Sequence, residues 1–202
     1  MHKEDCQRIL DFIHLTEKLK TLKRHSWLSD GQQETVAEHT WRMALMAMLM
    51  APYLDKKVDL LKTLKLILVH DLVEINYKDN PAFNKQPSDK AKQEGLSLKK
   101  LTSQLPPTLK RELRELWKEY ELAATPESRF AKTMDKTEVL LQHNEADIKF
   151  MDKKEFPFNF YYGKEFGEHD SFLRLFRELI NAETLKHYKK NKVEESLYID
   201  WV

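Results

Sequence analysis

Along most of the chain, apolar residues recur at three- and four-residue intervals, a spacing that predicts helices joined by polar connections. A first helix over roughly residues 4–22 carries Ile9, Phe12, Ile13, Leu19 and Leu22 near one face, and a polar connection from Lys23 to Gly31 follows. Thr35-Val36-Ala37-Glu38 has the form of a capping box, so a second helix starts there and runs through His39, Met43, Met46, Leu49 and Met50 toward Leu54. A third, from Val58 or Asp59 to Ile75, is apolar at Leu60, Leu61, Leu64, Ile67, Leu68 and Leu72, and most of it should be buried.

Asn76 to Pro81 reads as a turn, because Asn, Asp and a following Pro discourage helix, and residues 82–87 read as a polar loop carrying Phe83. A helix from Ser88 to about Leu105 ends at Pro106-Pro107, which opens an amphipathic outer helix with Leu109, Leu113, Leu116, Trp117 and Tyr120. Thr125-Pro126-Glu127 is a helix start with Thr at the cap and Pro at the first position; Phe130, Met134, Val139, Leu140 and Leu141 follow. Residues 156–167 read as an ordered loop packed by aromatics. A last helix over about 168–190 carries Phe172, Leu175, Phe176, Leu179 and Ile180.

Composition sharpens this to an all-α helical bundle. The 202 residues suit one domain, residues 1–202, and 4 Gly with 7 Pro disfavour a turn-dense sheet. A net charge of +1 without a basic block gives no reason to expect a nucleic-acid polymer, and no GxGxxG or Walker loop is present. Cys6 is the lone cysteine, which excludes an intrachain disulfide and fits a reducing compartment, the cytoplasm. The most apolar run, Met43 to Leu54, is too short to span a membrane, and the N-terminal residues lack a secretory signal's apolar segment.

Chemistry concentrates where the third helix ends, at Leu66-Ile67-Leu68-Val69-His70-Asp71-Leu72-Val73-Glu74. On a continuous helix Glu74 projects about 40° from His70 and about 60° from Asp71, so the three converge on one side. Burying them in apolar sequence requires hydrogen-bond partners or a cation. The alternative is a helix end at which His70 and Asp71 cap and solvate. His39 stands in the first turn of its helix, and Asp135 lies mid-helix where an unpaired carboxylate is disfavoured. His143, about 80° round the helix from Asp135, reads as a flank residue, and His14, His169 and His187 as exposed or already satisfied. Two imidazoles and two carboxylates form a donor set for Mn, Fe, Co, Zn or Ni, should they meet.

The order His39, His70-Asp71, Asp135 resembles the HD-domain metal-dependent phosphohydrolases. Leu19 to Trp27, Glu34 to Thr40, Arg42-Met43-Ala44, His70 to Glu74 with Asp79, and Pro126-Glu127 through Glu138 resemble its 5'-deoxynucleotidase branch, over residues 15–165. The resemblance implies a helical domain, often homodimeric, holding one divalent ion, Mg included among the candidates, on His39, His70, Asp71 and Asp135. It implies hydrolysis of deoxyribonucleoside 5'-monophosphates by metal-activated water, with Glu74 and Asp79 handling protons and Arg24 and Trp27 meeting phosphate and sugar. Arg24 and Trp27 are more widely spaced here than in some relatives. The competing readings are a nucleotide-binding module without catalysis and an HD hydrolase of triphosphates or cyclic nucleotides.

Overall fold

Both threonine-led helix starts form as the sequence dictates. In the computed structural model, which describes residues 3–76, 83–84 and 89–202, Thr35 Oγ1 accepts from Glu38 N at 3.2 Å while Glu38 Oε2 accepts from Thr35 N at 2.7 Å. Thr125 Oγ1 accepts from Ser128 N at 3.2 Å, and Pro126 supplies the first helical residue. Each cap satisfies amide groups that the first helical turn leaves without partners.

The two helices so started are α2 (Val36–Met50) and α6 (Pro126–Glu145). They follow α1 (Lys3–Thr16), a hairpin of β1 (Lys23–Trp27) and β2 (Gln33–Thr35), and enclose α3 (Leu60–Val69), α4 (Lys90–Leu101) and α5 (Pro107–Leu122). The chain closes with α7 (Glu155–Tyr161), α8 (Lys164–Gly167) and α9 (Ser171–Lys190). Helices α2, α3 and α6 pack mutually at the centre, with α5 against α3 and α6, and α9 behind α6. Their shared core is Met43, Met46, Ala47, Met50, Leu66, Ile67, Phe130, Ala131 and Met134. Each large apolar side chain so buried contributes about 1.5–3 kcal/mol. A second, aromatic core of Phe156, Phe160, Tyr188 and Tyr198 joins α7 to α9.

Several elements depart from the sequence reading. The first helix stops at Thr16, with a single 3-10 turn over Glu17–Lys20, and no residue of α1 is buried; Ile13 is exposed. The polar connection is an antiparallel hairpin pairing Lys23 with Thr35 and Trp27 with Gln33, and its inward positions are Arg24 and Ser26. Helix α3 ends at Val69: Asp71 leaves helical geometry (φ −99°, ψ 10°) and Leu72–Ile75 forms a 3-10 turn, so Glu74 is not carried by the same helix as His70. The aromatic segment is helical, as α7 and α8, although its packing by aromatics is as expected. The last helix begins at Ser171 because the Asp170 carboxylate caps Phe172 N and Leu173 N, both at 3.1 Å. Its Leu175 and Leu179 face outward, and His187 is half-buried. Among the described residues, no helix is long and apolar enough to cross a membrane.

Candidate metal centre

Three chain segments deliver the polar core. Helix α2 contributes His39 one turn after its cap, the end of α3 contributes His70 and Asp71, and the middle of α6 contributes Asp135. One donor atom from each of His39, His70 and Asp135 lies within 4.8 Å of the others, and all three residues are buried. His39 Nε2 stands 3.3 Å from Asp135 Oδ1, and His70 Nε2 stands 3.0 Å from Asp71 Oδ2. Asp71 thus joins through His70.

The far side of each ring fixes its tautomer. His39 Nδ1 meets Glu138 Oε2 in a very short contact, and His70 Nδ1 donates to the Ile67 carbonyl at 2.6 Å. With Nδ1 committed to these partners, each Nε2 faces the interior, where both are buried and, among the described residues, without a hydrogen-bond partner. Asp135 is oriented likewise: its Oδ2 accepts from Tyr120 OH and from Lys136 Nζ, both at 2.7 Å, leaving Oδ1 for the centre. Two imidazole nitrogens aimed inward, each oriented from behind, together with acid oxygens, are the donor set a divalent first-row ion takes. The residues present fit such an ion.

Electrostatics point the same way. Burial disfavours a charged His39, but Glu138 and Asp135 outweigh it and push its pKa up to about 10. The cluster therefore favours positive charge at that place. Burial resists ionisation of Asp71 and Asp135, yet His70 and Arg24 around the first, and Lys136 and His39 around the second, hold both carboxyls well below the usual range. Glu34 goes the other way: burial, then the neighbouring Glu138 charge, raise it to about 7.

Arg24, inward on β1, donates from Nη1 to Asp71 Oδ2 at 3.0 Å and places Nε 3.3 Å from Glu34 Oε2. Glu74, on the 3-10 turn, lines a cavity of about 140 Å³ with His70, Asp71 and Asp135. Trp27 stacks on Phe150, centroids 4.2 Å apart and planes 6° off parallel, at the other end of β1 from Arg24's neighbour Lys23. Asp79 lies outside the described residues. The structure thus gathers His39, His70, Asp71, Asp135, Glu74 and Arg24, and sets Trp27 apart on Phe150.

Sequence reasoning missed several members. Lys90, Lys132 and Lys136 line the same cavity, ion-paired there to Glu94, Glu121 and Asp135 respectively. Lys132 and Lys136 flank Asp135 at helical spacing on α6, a signal that was available. Glu138, fully buried, holds His39 and is itself clamped by Arg42, whose Nε donates to Glu138 Oε1 at 2.7 Å and Nη1 to Glu145 Oε2 at 2.5 Å. An unsolvated glutamate one turn after Asp135 was the available sign there.

Comparisons with known proteins bear on this geometry. A profile of the HD domain matches residues 16–173. The 5'-deoxynucleotidase HDDC2 of Homo sapiens is 35% identical over 145 residues, 70% of either chain. The 5'-deoxynucleotidase hdd1 of Schizosaccharomyces pombe is 34% identical over 154 residues, 73% of this chain and 76% of its own. Among solved structures, a predicted metal-dependent phosphohydrolase from Magnetospirillum magnetotacticum superposes with a TM-score of 0.79 at 27% identity, over 93% of this chain and 96% of that one.

Proposed function

The chain belongs to the HD-domain family and is a metal-dependent phosphohydrolase, and from that premise we propose that it releases phosphate from deoxyribonucleoside 5'-monophosphates. The observation that carries the reading is the pair of buried His39 and His70 Nε2 atoms, each oriented from behind and, among the described residues, lacking a hydrogen-bond partner, beside Asp135. His39, His70, Asp71 and Asp135 are the proposed ligands of one divalent ion. When bound, that ion supplies Lewis acidity at a phosphoryl oxygen and lowers the pKa of water.

The remaining work falls to the chain's own side chains. Glu74 or Asp79 takes the proton of the attacking water and returns one to the departing 5'-oxygen. Arg24, with Lys132 and Lys136 of the cavity wall, balances the phosphate charge through charge-assisted hydrogen bonds. Trp27 is assigned to the sugar side. The cavity of about 140 Å³ is assigned to the phosphate, with sugar and base extending outward from it.

Two coarser features complete the proposal. A homodimer is supported by Trp41, Leu45, Met48 and Leu49, an exposed apolar stripe at helical spacing on α2. A cytoplasmic setting is supported by the lone Cys6, which is exposed.

The test is metal analysis of the purified protein, then phosphate release from dAMP, dCMP, dTMP and AMP with several divalent cations. Release from the deoxynucleotides is expected, and Glu74→Ala should lower turnover by about 10²–10⁴-fold while retaining the ion. Bound metal and nucleotide without phosphate release would make the chain a binding module. Release from triphosphates or cyclic nucleotides alone would move it elsewhere in the family.

A further inference from the structure

A second group of imidazoles and acid stands on the other side of β1. His25 follows Arg24 on the strand and faces away from it, toward His143 near the end of α6 and Glu155 at the start of α7. We propose that His25, His143 and Glu155 form a second divalent-metal site, distinct from the His39, His70 and Asp135 centre, taking zinc or a neighbouring first-row ion and tying the hairpin to α6 and α7.

The donor atoms already stand where an ion requires them. His25 Nε2 hydrogen-bonds Glu155 Oε1 at 3.1 Å through the proton an ion would displace, His143 Nε2 lies 3.2 Å from the same oxygen, and all three donors lie within 4.8 Å of one another. Metal–ligand bonds of about 2.0–2.1 Å in tetrahedral array set ligand atoms about 3.3 Å apart. In the first centre the corresponding His39 to Asp135 separation is 3.3 Å.

The tautomer of His143 is fixed from behind. Asn159 Nδ2 donates to Tyr188 OH at 3.0 Å, which turns Asn159 Oδ1 toward His143 Nδ1 at 2.8 Å. His143 Nδ1 therefore carries the proton and Nε2 the lone pair. Only 3% exposed, His143 has no hydrogen-bond partner at Nε2 among the described residues, because Glu155 Oε1 is near without being aligned with it. His39 Nε2 stands in the same relation to Asp135. A lone pair pointing beside an acid oxygen, rather than at it, is what a shared ion between them produces.

Glu155 is prepared too. Its Oε2 accepts from Asp152 N at 2.6 Å, leaving Oε1 for the cluster. Burial opposes its charge, but His25 and His143 hold its pKa below the usual value, and burial lowers that of His143. Two imidazoles and one carboxylate are a recognised zinc set with one position open to water. Phe83 closes over the edge of His25 at 5.4 Å and shields the group.

The test is zinc binding by the metal-stripped full chain, read by calorimetry and by metal content after dialysis, with Co²⁺ absorption as the report of coordination. Wild type should bind two equivalents, His39→Ala one and His143→Ala one. The zinc-dependent rise in melting temperature in His39→Ala should vanish on adding His143→Ala or, as the gentler change, His25→Ala. Failure of His39→Ala to bind zinc, or zinc binding there that neither second change weakens, overturns the site. Phosphate release enters none of these readouts, so the catalytic assignment stands or falls separately.

Discussion

The two histidine clusters share β1 and α6 yet are neutralised in opposite ways. Around His39 the acids outnumber what the imidazoles can balance: Glu34, Asp71, Asp135 and Glu138 crowd together, and Arg24, Arg42 and Lys136 are buried or half-buried to offset them. Around His143, among the described residues, Glu155 is the acid in contact, and the surroundings are an amide, a phenol and aromatic rings. The first has the charge of a site that exchanges protons and anions; the second has the quiet frame of a structural clasp. Imidazole is oriented by a carboxylate in one and by a carboxamide in the other, and that difference sets how basic the free nitrogen is.

Surplus acid leaves the first cluster with a carboxyl shifted upward, whereas in the second Glu155 and His143 are both shifted downward. Folded Glu34 keeps its proton up to about 7, whereas the unfolded chain releases it near 4.5, so between those values the unfolded state binds fewer protons. Stability then falls as pH rises through this window. In metal-free protein, Glu34→Gln removes the penalty. Relative to wild type, it should gain about 3 kcal/mol between pH 4.5 and 8 by denaturant unfolding. Parallel curves for the two proteins would show that Glu34 ionises without cost beside Arg24.

The orienting groups separate the clusters by a smaller margin. Glu138→Gln should weaken the ion at His39 by about 10–100-fold and leave the second site's affinity unchanged, and Asn159→Ala should do the reverse. Competition titration with a coloured chelator in His143→Ala and His39→Ala backgrounds reads each site alone. Equal losses at both sites from either substitution would mean that α6 transmits the change and that the clusters are one unit.

How far these features were legible follows from the range of the forces involved. The helix starts at Thr35 and Thr125 are local, so Glu38 three residues on announced the first and Pro126 the second. The break after Val69 was not local: Asp71 is held by Arg24, from a strand whose five residues, Lys-Arg-His-Ser-Trp, carry no apolar alternation. Arg24 is inward only because Glu34 and Asp71 receive it, which no periodicity encodes. For His143, the helical angle correctly turned it away from Asp135, but not toward solvent. Helix α7 covers that face, and a neighbour from so far along the chain leaves no trace in the spacing.

The smallest expected effect tests whether α6 merely carries both clusters. Thr125→Ala removes the cap on the first turn, about three turns ahead of Asp135, and should cost about 1 kcal/mol of stability. Between cap and clusters lie Phe130, Ala131 and Met134, all buried against α2 and α3, so their packing rather than the cap fixes the register of the helix. Melting temperature should therefore drop while ion affinity at both sites is unchanged. A loss of affinity confined to the Asp135 centre would mean that loosening reaches one cluster before the other, and that the helix holds the two with unequal stiffness.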